Sequence, residues 1–119
     1  MKTTIGLIEK IKVIGKKPMD VLAKFDTGAK GNSIDKKLAD EIGLEPIKSI
    51  RVGNVFGKHK RYVANVVFEI QGRRFETKTN ISDRGNLAYP VLIGRNLIHG
   101  NFVIDVEKSN KSPKERDLR

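Results

Sequence analysis

The chain contains no cysteine and no tryptophan, and its 119 residues include two histidines, five phenylalanines and two tyrosines. Without cysteine there is no disulfide framework, no thiolate metal ligand and no cysteine nucleophile, which suits a reducing compartment and makes the cytoplasm the expected location. His59, in a basic stretch, and His99, beside Gly100, stand alone, with no H-E-x-x-H pattern to make a zinc site and no partner pattern to make a catalytic base. Neither a Walker A loop nor a G-x-G-x-x-G turn occurs, so no cofactor and no metal is expected. So few aromatic rings leave little for base stacking. Glu9, Lys10 and Lys12 interrupt the only apolar stretch near the start, and no run approaches the roughly 20 apolar residues of a membrane span. A soluble protein with no membrane partner is expected.

What is present is positive charge: 24 Lys and Arg against 14 Asp and Glu give a formal net charge of +10. Such a balance concentrates anionic partners, whether nucleic acid, lipid or acidic peptide, without choosing among them. Part of it lies in "GKHKR" (57–61) and in the tail "KSNKSPKERDLR" (108–119), where solvated surface charge is the competing reading. The length fits one domain, and a hydrophobic content of 38% can fill a core. We assign the domain to 1–109 and a basic, flexible tail to 110–119.

Residues 4–14 and 20–25 read as strands around the turn "GKKP". "SIDKKLADEIGL" (33–44) reads as a short helix, with Asp35 as its cap, Leu38 and Ile42 on one face and Gly43 at its stop. "IRVGNVFGKHKRYVANVVFEI" gives two strands around a basic turn, and "EIQGRRFETKTNI" a hairpin pivoting on Gln71 and Gly72. An apolar run, 91–93, precedes Gly94, a brief helical turn and a last strand at 101–106. Strands at this spacing predict a mainly β barrel or sandwich with one or two short helices.

Within that frame one stretch invites chemistry. In "VLAKFDTGAKGNSID" (21–35) an apolar strand ends on Asp26 and turns through Thr27 and Gly28. A carboxylate there serves either chemistry or a structural hydrogen-bond network, because an unpaired buried charge is costly. Two carboxylates sharing a proton can hydrolyse a peptide bond without metal, one as base toward water and the other as acid toward the carbonyl. The chain has one Asp-Thr-Gly, and Asp105 in "FVIDVE" lacks such a turn. A two-fold dimer supplies the second copy of Asp26.

"AKFDTGAKGNS" resembles the D-T-G-A-x-x-S signature of retropepsin-like aspartic proteases, and "PVLIGRNLI" resembles their second signature, an apolar triplet followed by Gly-Arg-Asn and a short helix. A closer resemblance is to a small prokaryotic family known as ATP-dependent zinc proteases and associated with RimK-type ATP-grasp ligases. It rests on an opening "IG" and on "KFDTGAK", "GRRFETKTNISDR" and "VLIGRNLIHGNFVIDVEKS", which together span roughly residues 5 to 109. The resemblance implies a closed retropepsin-like acid-protease barrel, a homodimer and a peptide or protein substrate. It makes Asp26 the catalytic carboxylate, Thr27 a brace across the dimer and Gly28 a point of close backbone approach. Ala29 and Ser33 match the small positions of the signature, Ser33 as a hydrogen-bond partner of the acid or its loop, although a cap at the helix start explains Ser33 equally well. Gly94 matches the glycine packed behind the active-site loop, and Arg95 the arginine that follows it.

Departures from the family patterns carry consequences. Lys30 stands where viral retropepsins commonly have an acid, so Arg95 must find another acid or solvent. Asp35 stands where many RimK-associated relatives have His, and the zinc of the family label finds few ligands in this chain. "GNVFGKHKRY" (53–62) reads as a basic flap over substrate or as an ordinary exposed hairpin turn. RimK-type ligases add glutamate to protein C-termini, so the resemblance and the net charge together imply trimming of acidic tails and a functional link to such a ligase. Two other readings stay open: a non-catalytic retropepsin-like module for dimerisation or partner binding, and, less supported, a nucleic-acid-binding barrel using Lys58, Lys60, Arg61, Arg73 and Arg74.

Overall fold

A computed structural model describes residues 1–54, 57–83 and 89–108, those at 48–54 and 57–61 by backbone alone. The elements run β1 (Thr3–Ile5), β2 (Ile8–Ile14), β3 (Pro18–Phe25), β4 (Ser33–Asp35), α1 (Lys36–Glu41), β5 (Lys48–Asn54), β6 (Gly57–Ile70), β7 (Arg73–Ser82), β8 (Val91–Ile93), α2 (Arg95–Ile98) and β9 (Phe102–Ile104). One sheet has the order β2-β3-β8-β4-β7-β6-β5, and β2 also pairs with β6 through Val13↔Phe68. The ring β2-β3-β8-β4-β7-β6 is therefore a closed six-stranded barrel, with β5 added outside on β6. The barrel follows from period-two alternation. Ile11 and Val13 of β2, Ala23 and Phe25 of β3, Ile34 of β4, Val66 and Phe68 of β6 and Ile93 of β8 all point into one core at 2% exposure or less.

The expected mainly β barrel with two short helices is present, and four local expectations change. The strand foreseen over 4–14 is two strands. The Glu9 carboxylate turns inward and accepts the Gly6 N–H at 2.6 Å, bending the chain so that β1 leaves the barrel and pairs in parallel with β9. The helix foreseen over 33–44 begins only at Lys36, because Ser33–Asp35 pairs with both β7 and β8. Asp35 occupies the N-cap position without a side-chain cap bond, and Gly43, at φ 73°, ends the turn in the left-handed region as expected. The last strand is Phe102–Ile104 rather than 101–106. "GKHKR" lies within β6 rather than in the turn, so the tip of the β5–β6 hairpin, residues 55–56, falls outside the described residues, as does the tail from 109 onward.

The hairpin at Gln71 and Gly72 is as expected: φ values of 51° and 77° give both central residues left-handed backbone, the geometry that matches strand twist in a two-residue turn. Beyond it Arg73 ties the small β1–β9 sheet to the barrel. Its guanidinium donates to Thr3 Oγ1 at 3.3 Å, to the Asn101 carbonyl at 3.1 Å and to Asn101 Oδ1 at 3.2 Å. It also lies over the rings of Phe75 and Phe102, 5.1 and 5.5 Å from their centroids.

Candidate active site

Strands β3 and β8 run in parallel, Phe25 beside Ile93, so both deliver their C-terminal ends to the same edge of the barrel. The Asp26 N–H donates to the Ile93 carbonyl at 2.8 Å, which fixes the first residue of one turn against the last strand residue before the other. Asp26 Oδ1 then accepts the Gly28 N–H at 2.8 Å, and the Ala29 N–H closes back on the Asp26 carbonyl at 3.1 Å. An apolar strand can end on this acid because its carboxylate is half-buried at the rim, outside the core that Phe25 fills. A Cβ on Gly28 would stand 3.1 Å from Asp26 Oδ1, crowding the turn that holds the carboxylate.

The second turn clasps the first. Arg95 N–H donates to the Ala29 carbonyl at 2.8 Å and Asn96 N–H to the Lys30 carbonyl at 3.0 Å. Gly94 sits so close behind that a Cβ there would lie 2.2 Å from the Gly31 carbonyl oxygen and 2.8 Å from that of Ala29. The arginine expected to seek an acid or solvent finds a carbonyl instead: its Nη1 donates to Thr27 O at 3.0 Å. Thr27 and Gly28 are exposed at the apex.

Asp26, Thr27, Gly28, Ala29, Gly94 and Arg95 thus share one interlocked pair of turns. Ser33 lies further on, in β4, opposite Asn80 and Leu92. The residue that sequence reasoning missed is Asn32. It is 1% exposed, its Oδ1 accepts the Gly94 N–H at 2.9 Å, and its carbonyl accepts the Asn80 N–H at 3.0 Å. No local pattern signals it, because its bond to Gly94 spans 62 positions. Beside the turns opens a pocket of about 680 Å³ whose walls include Lys30, Asn32, Ser33, Asn80, Leu92 and Asn96. Among the described residues no three His, Cys, Asp or Glu side chains converge on a point where a metal ion would sit.

A closed six-stranded barrel with two short helices and an Asp-Thr-Gly turn locked to a Gly-Arg-Asn turn is the retropepsin-like fold. No protein-family model and no curated protein matches the sequence. Among solved structures the chain is similar to a Legionella pneumophila protein of unknown function (DUF785), with 22% identity, a TM-score of 0.67 and 92% and 97% of the two chains covered. It is also similar to the simian foamy virus protease, at 19% identity and TM-score 0.58 over 76% of this chain and 91% of that one. A retropepsin-like aspartic protease from Rickettsia conorii gives 22% identity and TM-score 0.54 over 81% and 75%. At such identities the likeness establishes the fold.

Proposed function

We propose that the protein is an aspartic peptidase that works as a homodimer through two copies of Asp26. The observation that carries this reading is a single half-exposed carboxylate, fixed by the Gly28 N–H at the rim of a retropepsin-like barrel. Each chain brings one such group, and the reaction takes two. One Asp26 carboxylate removes a proton from water as the water oxygen attacks the scissile carbonyl, while the protonated partner carboxyl donates to the carbonyl oxygen. Collapse of the tetrahedral intermediate breaks the C–N bond: the amine nitrogen leaves with the proton held by the first carboxylate, and one hydroxyl of the intermediate returns its proton to the partner carboxylate as the carbonyl re-forms. Thr27, exposed beside the acid, braces the two turns across the two-fold axis, and Gly28 lets the substrate backbone approach.

The unit that does this is the domain over 1–109, carrying a basic tail at 110–119. The blocks shared with the RimK-associated family support placing the protein in that branch, as a cytoplasmic enzyme that trims glutamate-rich tails in company with an ATP-grasp ligase. A net charge of +10 favours such substrates. The chemistry takes no metal and no cofactor. Cleavage of a peptide series that includes a glutamate-extended C-terminus, followed for wild type and Asp26→Asn, tests the reading. Turnover lost in the variant supports it. A wild type that binds such a peptide without cutting it contradicts it and leaves a partner-binding module.

A further inference from the structure

On β2 the core-facing row begins with Glu9, which is 2% exposed, and continues with Ile11 and Val13. Burying a carboxylate is costly, and a strand N–H is normally served by a carbonyl of the neighbouring strand, so an acid at this position asks for a reason. Its contacts supply one. Oε2 accepts the Gly6 N–H, and Oε1 accepts from Gln71 Nε2 at 3.4 Å, at the tip of the β6–β7 hairpin. Gly6 is itself buried, between two residues that each carry a long-range bond. The Ile5 carbonyl accepts the Asp105 N–H at 2.8 Å, and the Leu7 carbonyl accepts the Phe25 N–H at 2.8 Å. Phe25 directly precedes Asp26, whose N–H is held by the Ile93 carbonyl and whose Oδ1 holds the Gly28 N–H. A continuous path of short bonds therefore runs from the Glu9 carboxylate through the link at residues 5–7 to the acid at the barrel rim.

We infer that Glu9 is a positioning residue for Asp26: by holding the Gly6 N–H it fixes the Leu7 carbonyl to which the last residue of β3 is bonded. The inference rests on the peptidase reading, and it names a residue outside the two interlocked turns on which the rate depends. What Glu9 supplies is an oxygen at a fixed reach. Charge is not required, because an amide oxygen accepts the same N–H and the Gln71 amide can turn to present its own oxygen to the new NH2 group. Reach is required, and the side chain of Glu9→Asp is one methylene short. Without its acceptor the buried Gly6 N–H must find another partner, and the link shifts to reach one. Phe25 and Asp26 move with it. The proposed reaction asks two carboxylates to meet one water, and a misplacement of about 1 Å can cost on the order of 10²-fold in rate.

Three variants separate reach from charge: Glu9→Gln keeps the reach, Glu9→Asp keeps the charge and Glu9→Leu keeps neither. Each is compared with wild type for kcat and KM on the glutamate-extended peptide, at concentrations where sedimentation shows the same assembly state. Amide hydrogen exchange is followed on the same proteins by 15N NMR. We expect Glu9→Gln to match wild type within about twofold in kcat, and the other two to lose roughly 10- to 100-fold in kcat with KM held within about twofold. In those two the Phe25 and Gly28 amides should exchange at least about tenfold faster relative to amides at the centre of β6 and β7. Exchange that accelerates evenly through the barrel would make Glu9 a residue of general stability and overturn the inference. So would an unchanged kcat in Glu9→Asp, a loss carried by KM, or a Glu9→Gln as slow as Glu9→Asp. If Glu9→Leu does not fold, the other two variants decide. If the wild type cleaves nothing, the peptidase reading falls, and exchange at the Phe25 and Gly28 amides alone decides whether Glu9 holds the Asp26 turn.

Discussion

Asp26, Gly94 and Asn32 have different tolerances, and each follows from its surroundings. Asn in place of Asp26 keeps an oxygen for the Gly28 N–H, so Asp26→Asn should fold with a stability change under about 1 kcal/mol. It should lose roughly 10³-fold or more in kcat/KM, the scale of acid–base catalysis. A urea denaturation curve beside a cleavage assay checks both. Gly94→Ala drives a methyl into the Gly31 and Ala29 carbonyls and should cost about 3 kcal/mol or more, the upper range for overpacking. Unchanged stability would mean that the two turns are looser than described. Asn32→Ala leaves the buried Gly94 N–H without its acceptor and should cost about 1–3 kcal/mol, measured in the same way. The turn through Asp26, Thr27 and Gly28 was legible in the sequence because its pattern is local. Asn32 was not, because its bond to Gly94 spans 62 positions and leaves no trace at either end.

At the scale of elements, local periodicity predicted strands and turns well and failed where long-range pairing decided. The apolar spacing of Leu38 and Ile42 suggested a helix from Ser33, yet Ser33 through Asp35 lie between two strands whose open edges they satisfy. Backbone pairing in a sheet outweighed helix propensity there. Likewise nothing local marked the break after Ile5, since a buried Glu9 reaching back to Gly6 is visible only once the strands are assembled. The β1–β9 sheet then depends on Arg73. Arg73→Ala removes three hydrogen bonds and two ring contacts, and should destabilise the protein by about 2 kcal/mol. Amide exchange should accelerate in Thr3–Ile5 and Phe102–Ile104 more than in β2; equal protection in both would show that the small sheet holds without it.

For the whole molecule, the proposed function turns on arithmetic: the chain has one Asp-Thr-Gly, and the proposed reaction uses two carboxylates. Composition gave the charge and the absence of cysteine directly, whereas assembly depends on surfaces that no sequence pattern displays. The most direct measurement is specific activity as a function of protein concentration, taken on the same samples as sedimentation equilibrium. The dimer account predicts that activity per chain falls in proportion to concentration once the dimer dissociates, with the same midpoint in both experiments. Activity per chain that stays constant in samples sedimenting as monomer would contradict it, because a lone Asp26 would then be sufficient.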